Sequence, residues 1–149
     1  MTALDPQIAR RHVVLRGQPT GKLGQALDYH RAGDYMRAER IYRRMLKKDA
    51  SDCQALHLLG LLRHDQGKSD EAVSLIRRAI QYYPTQELLY LNLGVIFESR
   101  HCYTEAIACY TRAMKLAPDE MFPYFNLGVV YGALAEPEMA AAYFKRAID

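Results

Sequence analysis

Apolar and small side chains recur along this chain at helical spacing. Ala38, Tyr42, Met45 and Leu46 stand at i, i+4, i+7 and i+8, one stripe of a 3.6-residue period. Farther on, Tyr90, Leu93, Gly94 and Phe97 form another such stripe. The pattern predicts helices in pairs. Gly33 and Gly67 fall between paired stripes, where a helix C-terminus calls for a residue that tolerates positive φ. Pro84 and Pro118 follow the second stripes of two pairs, where a ring without an N–H stops a helix and fixes the next turn.

The pairs repeat. Leu58-Leu59-Gly60, Asn92-Leu93-Gly94 and Asn126-Leu127-Gly128 place their glycines 34 residues apart. Each glycine is followed at fixed intervals by Ala72, Ala106 and Ala140, then by Ile76, Tyr110 and Phe144, then by Ala79, Ala113 and Ala147. One period earlier, Ala26, Ala38, Tyr42, Met45 and Ala50 form a degenerate first copy. The small residues have a packing role: Gly94 and Ala106 are expected where two helices cross, with Tyr110 filling the space beside the crossing. A period of this length signals stacked supersecondary units.

These positions resemble the tetratricopeptide repeat. Leu93-Gly94, Phe97, Ala106, Tyr110, Ala113 and Pro118 match its pattern. Leu56, Tyr90 and Tyr124 stand in place of its leading Trp, and Gln25-Ala26 replaces Leu-Gly in the first copy. The units are expected at 19–52, 53–86, 87–120 and 121–149, preceded by residues 1–18 as a basic arm or a short capping helix running from Asp5-Pro6 to about Arg16. The resemblance implies an all-α, right-handed superhelical solenoid of about four helix-turn-helix units. It also implies a concave groove, lined by the leading helix of each pair, that binds peptides or proteins. It names no partner, since the scaffold serves many systems.

By that resemblance the groove is lined by Leu23, Leu27 and His30, by His57, Leu61 and His64, by Leu91, Asn92, Val95 and Glu98, and by Phe125, Asn126 and Val129, with Leu88 and Phe122 at its edge. Such a face is apolar for a peptide groove and suggests an apolar or amphipathic ligand. The alternative is that it packs on the chain's own N-terminal arm or on a neighbour. Asn92 and Asn126 share one register, and a row of amides is able to grip a peptide backbone without reading its sequence. The row resembles the asparagine ladder of protein O-linked N-acetylglucosamine transferases, although Gly24 and Leu58 occupy the earlier positions. The alternative is an Asn satisfying local backbone groups. The two-carboxylate clamp of chaperone-binding repeat domains is absent, with Leu23, Leu27 and Leu88 where polar or basic residues would be needed.

Charge adds an asymmetry. The net +3 over 149 residues conceals eleven Lys/Arg against four Asp/Glu in residues 1–48, a local balance of +7. Arg37, Arg40, Arg43, Arg44, Lys47 and Lys48 form a basic stretch on one trailing helix. It suits an acidic partner, RNA or anionic lipid, or is simply a solvated convex face. No aromatic interleaving supports base stacking there, so nucleic acid is not an expected partner. Composition excludes wholesale disorder, with half of the residues hydrophobic and a quarter charged. No apolar run is long enough for a transmembrane segment, and the basic N-terminus lacks the apolar stretch of a secretory signal. Cys53, Cys102 and Cys109 read as reduced thiols, which points to a cytoplasmic protein.

Catalytic chemistry is not expected. Gly17-Gln18-Pro19-Thr20-Gly21-Lys22 imitates a phosphate loop but is one residue short and is followed by Leu23 instead of Ser or Thr. His57 and His64 are seven residues apart, roughly 10 Å along one helix, too far to share a metal ion. Neither a metal site nor a cofactor is expected, and no nucleophile, base and orienting group assemble. Tyr143 and Ile148 on the last trailing helix are expected to lack cover, whereas Phe144 and Ala147 are expected to pack within their own unit. That leaves the C-terminal end open to a partner or to a homo-oligomer. The expected role is a non-catalytic adaptor. The alternatives are a substrate-recruiting region of a larger enzyme such as a glycosyltransferase, or a self-assembling scaffold subunit.

Overall fold

The computed structural model describes residues 20–148. The arm or helix expected in residues 1–18 lies outside them. Among the described residues there are eight helices and no strand: α1 (Gly21–Arg31), α2 (Tyr35–Lys48), α3 (Cys53–Asp65), α4 (Ser69–Tyr82), α5 (Glu87–Ser99), α6 (Tyr103–Leu116), α7 (Met121–Ala133) and α8 (Pro137–Ile148). The fold class is all-α, with helix-turn-helix units of the solenoid type. The described residues divide between Pro84 and Thr85 into two compact units of four helices each. In the first, α1 packs on α2, α2 on α3 and α3 on α4. In the second, α5 packs on α6, α6 on α7 and α7 on α8, and the leading helices α5 and α7 also touch.

The turn inside each helix pair has one geometry. After α1, Gly33 takes φ +79°, its N–H donates to the His30 carbonyl at 3.0 Å, and the Asp34 N–H reaches back to the Tyr29 carbonyl at 2.8 Å. This closes the orphan carbonyls of the last turn. Gly67 repeats the arrangement at φ +77°. At the same register in the second half stand His101 and Ala135, both at φ +58°, with the same long backward bonds from Cys102 to Phe97 and from Glu136 to Tyr131, each 2.9 Å. Glycine marks this turn in sequence only twice. In the other two units, helix packing holds a non-glycine residue in the left-handed region at a cost of roughly 1 kcal/mol.

The trailing helices of the second and third pairs end as the prolines require: α4 stops at Tyr82 and α6 at Leu116, two residues before Pro84 and Pro118. Two starts are capped by aspartate. Asp34 accepts from the Arg37 N–H at 3.2 Å and Asp52 from the Ala55 N–H at 3.0 Å.

The helix crossings lie at the small residues. A Cβ placed on Gly60 would come within 2.8 Å of Ile76 Cγ1, one on Gly128 within 2.6 Å of Phe144 Cδ1, and one on Gly94 would overlap the Tyr110 ring. Ala72 and Ala106 are fully buried opposite them. Close packing of this kind leaves no room for a methylene. Helix α8 departs in part from expectation. Tyr143 is not uncovered: its ring stacks on Tyr131 of the same unit, 5.4 Å between centroids. Phe144 packs against Gly128 and Phe125 yet stays partly exposed, and Ile148 is exposed as expected. Among the described residues no helix is long and apolar enough to cross a membrane.

Candidate functional site

The thirteen candidate groove residues fall on the leading helices, six in the first half and seven in the second, and none is freely exposed. On α1 and α3, Leu27, His57 and Leu61 are buried, while Leu23, His30 and His64 are half-buried. His30 Nε2 lies 2.8 Å from Asp65 Oδ2, which joins α1 to α3, and its ring sits edge-on to Tyr35 and Tyr42. His64 Nδ1 is 3.4 Å from Ser69 Oγ. These two histidines therefore tie helices together within the first half.

On α5 and α7, Leu91, Asn92 and Asn126 are buried, and Val95, Glu98, Phe125 and Val129 are half-buried. Leu88 is buried and Phe122 half-buried. The open apolar face expected from the sequence is thus narrower than the register suggests. A leading helix is apolar on nearly every side because its neighbours enclose it. Only the half-buried members of the set keep part of their surface exposed. Asn92 and Asn126 are 1% and 2% exposed, so both amides are enclosed by the surrounding side chains.

Glu98 has a structural partner. The Tyr110 hydroxyl donates to its Oε2 at 2.7 Å, pinning α6 to α5. Tyr42 holds the same register two periods earlier, but its buried hydroxyl has no hydrogen-bond partner among the described residues. Burial pushes the Tyr42 phenol far above its ordinary value, with a smaller opposing effect from Arg31. The two tyrosines should answer the same substitution differently. Tyr110→Phe should lose about 1 kcal/mol with its hydrogen bond, whereas Tyr42→Phe removes an unsatisfied group and should be neutral or stabilising. Urea denaturation of both variants beside wild type checks the contrast, and equal losses would contradict it.

The basic stretch of α2 is exposed along its length, at Arg37, Arg40, Arg43, Arg44, Lys47 and Lys48. Two of the six are locally paired: Arg37 lies 3.2 Å from Asp34 and Arg43 2.6 Å from Glu39. Such exposed pairs contribute little to stability.

Sequence reading missed a buried ion network. Arg63 on α3 is 5% exposed. Its guanidinium donates to Glu39 of α2 at 2.5 and 3.1 Å, to Gln66 at 2.6 Å, and lies 3.0 Å from Glu71 of α4. The signal was present: Arg63 shares its register with Tyr29, Phe97 and Tyr131, and Glu39 with Val73, Ile107 and Ala141. Two charges stand where the other units are apolar or aromatic, and each answers the other. Burial opposes ionisation of Glu39, but hydrogen bonds from Arg43 and Arg63 together with their charges outweigh it and hold the carboxyl below its ordinary value. Cys53, Cys102 and Cys109 are half-buried and form no disulfide among the described residues, and burial, with the Asp52 charge, pushes the Cys53 thiol up. No group of three His, Cys, Asp or Glu able to hold a metal ion occurs among the described residues.

Comparison with known proteins agrees with this architecture. Two family models described as tetratricopeptide repeat match residues 23–87 and 85–149. No curated protein matches the chain. Among solved structures, the crystal structure of MamA is similar at a TM-score of 0.77 and 22% identity, spanning 85% of this chain and 74% of that one. MamA from residue 41 onward of Desulfovibrio magneticus RS-1 is similar at 0.75 and 19%, spanning 85% and 72%. TTC0263, a thermophilic TPR protein of Thermus thermophilus, is similar at 0.73 and 20%, spanning 85% and 71%. At these identities the likeness establishes the fold.

Proposed function

We propose that this chain, which belongs to the tetratricopeptide-repeat family, is a non-catalytic adaptor or scaffold that holds a protein or peptide against its leading helices. The observation that carries the reading is the pairing of apolar side chains on α5 and α7. Val95 and Val129 share one register, Leu91 and Phe125 another, and the two helices touch. Val95, Val129 and Phe125 are half-buried, which leaves part of each side chain to a ligand. An apolar strip of this kind takes the apolar face of a helix or peptide. Phe125 supplies an aromatic anchor of the type that dominates binding energy. In the first half, Leu23, His30 and His64 supply the corresponding half-buried positions. Three cysteines outside any disulfide support a reducing, cytoplasmic setting.

A partner recovered by pull-down provides the test. Phe125→Ala, Val95→Ser and Val129→Ser should each raise its Kd by about tenfold or more, equivalent to ~1.4 kcal/mol, with helix content unchanged by circular dichroism. Wild-type affinity in all three would remove the leading-helix face as the binding site. A substrate-recruiting region of a larger enzyme such as a glycosyltransferase has less support, since the Asn92 and Asn126 amides that would favour it are buried.

Self-assembly is a second reading, favoured by α8. Tyr42 and Tyr110 are 0% exposed, whereas Phe144 at the same register is 37% exposed. Phe144 borders a depression of about 480 Å³ with Gly132, Ala135, Pro137, Ala140 and Ala141. Leu134, Met139 and Ile148 add exposed apolar surface in the same unit. Sedimentation over a range of concentrations should show wild-type association that Met139→Lys with Ile148→Lys abolishes. A concentration-independent monomer would exclude it.

A further inference from the structure

The first helix pair departs from the others at one place. Lys22 and Gln25 occupy the register held by Leu56 and Leu59, by Tyr90 and Leu93, and by Tyr124 and Leu127. In each pair an arginine stands opposite that register: Arg44, Arg78, Arg112 and Arg146. Arg112 lies over the Tyr90 ring at 5.8 Å and Arg146 over the Tyr124 ring at 4.9 Å, placements that satisfy a cation on a π-face. Arg78 donates to the Ala50 carbonyl at 2.6 Å. Arg44 has none of these partners, because the side chain across from it is another cation.

The consequence is a hollow of about 100 Å³ between α1 and α2, lined by Lys22, Gln25, Ile41, Arg44, Met45 and Lys48. Ile41 and Met45 are half-buried and apolar, while Lys22, Arg44 and Lys48 are exposed around them. No hydrogen bond or ion pair engages these three cations among the described residues. Three like charges around an apolar floor are unfavourable to one another when empty and favourable to an anion with an apolar part.

We propose that this hollow docks an acidic, amphipathic protein segment, with one branched aliphatic side chain on Ile41 and Met45 and flanking carboxylates on Lys22, Arg44 and Lys48. The volume supports an aliphatic side chain, being smaller than the ~150 Å³ apolar cavity that accepts benzene. Residues 1–19, with Arg10, Arg11 and Arg16 against Asp5 alone, lack the flanking carboxylates that this occupant requires. A lipid surface is disfavoured because the apolar residues are recessed beneath the cations instead of projecting past them. Nucleic acid is disfavoured because no aromatic ring among the described residues lines the hollow to stack on a base. The site is separate from the leading-helix faces and stands whether or not they bind.

The probe is a fluorescein-labelled peptide with one Leu between runs of Glu, measured by anisotropy against the full chain. It should bind, and the same peptide with Ser for Leu should bind about tenfold more weakly, the effect of ~1.4 kcal/mol. Lys22→Glu with Arg44→Glu should weaken binding by at least about 30-fold, through loss of two charge-assisted contacts. Arg40→Glu with Lys47→Glu makes the same charge change on α2 outside the hollow and should cost less than about threefold. All four residues are exposed, so the melting temperature should not move. Phe125→Ala should leave probe binding intact, which keeps this test independent of the leading-helix face. Absence of binding, equal binding of the Ser peptide, or equal loss in the Arg40/Lys47 variant would overturn the proposal. So would tighter competition by phosphatidylserine vesicles or a single-stranded oligonucleotide than by unlabelled peptide.

Discussion

Replacing Ala106 with glutamate is expected to unfold residues 85–148. Ala106 is fully buried at the crossing of α5 and α6, opposite Gly94, where a single added Cβ already collides with Tyr110. A glutamate there must push the helices apart or leave a carboxylate in an apolar contact without a partner. The combined penalty is roughly 4–5 kcal/mol or more, comparable to the whole stability of a small domain at about 5–15 kcal/mol. Ala108 lies two residues along the same helix and is exposed, so Ala108→Glu should leave the melt nearly unchanged, within about 0.5 kcal/mol. Thermal circular dichroism of the two variants decides the matter. A cooperative wild-type melt for Ala106→Glu would contradict the helix crossing itself.

The second large effect is expected at the Arg63 network. Glu39→Gln keeps the side-chain shape but removes the charge that faces a guanidinium buried to 5% exposure. Glu71 lies 3.0 Å from Arg63 but its side chain is 55% exposed, so it compensates only in part. The expected loss is about 3 kcal/mol. Replacing both partners, Glu39→Leu with Arg63→Met, should recover most of it, because an apolar pair needs no charge compensation. Urea denaturation of the single and double variants measures the difference. Non-recovery would show that the network contributes more than mutual neutralisation. Acid gives a second readout. The folded-state carboxyl of Glu39 is held below its ordinary value, so its contribution is complete above the unfolded-state value and is lost as pH falls through the folded one. That window lies below about pH 4. In it the wild type should lose stability more steeply than Glu39→Gln.

The helices that carry the candidate residues were legible in the sequence, but the burial of those residues was not. Register alone matched Leu91 with Phe125 and Val95 with Val129, on helices that do touch. Register did not reveal that Asn92 and Asn126, polar residues on the same helices, are enclosed. Exposure depends on how closely the neighbouring helices approach, and that distance is not encoded in a period.

The hollow at Lys22 shows the converse. Its charges are plain in the sequence, yet only the packing of α1 on α2 brings Lys22, Arg44 and Lys48 to one rim.

By itself the sequence determined the repeat. The 34-residue spacing of Gly60, Gly94 and Gly128 and the stripes around Ala38 and Tyr110 settle helix type and pairing. These are local matters of periodicity, steric size and backbone freedom. Tertiary structure decided what depends on several elements at once. It held His101 and Ala135 at positive φ without glycine, since the packed pair outweighs a local preference of about 1 kcal/mol. It turned Arg63 and Glu39 from two misplaced charges into one buried link across α2, α3 and α4. A charge at an apolar register is a fault when read alone. It becomes a contact only when a distant residue, 24 positions away in the chain, is brought within hydrogen-bonding reach in a medium that screens poorly.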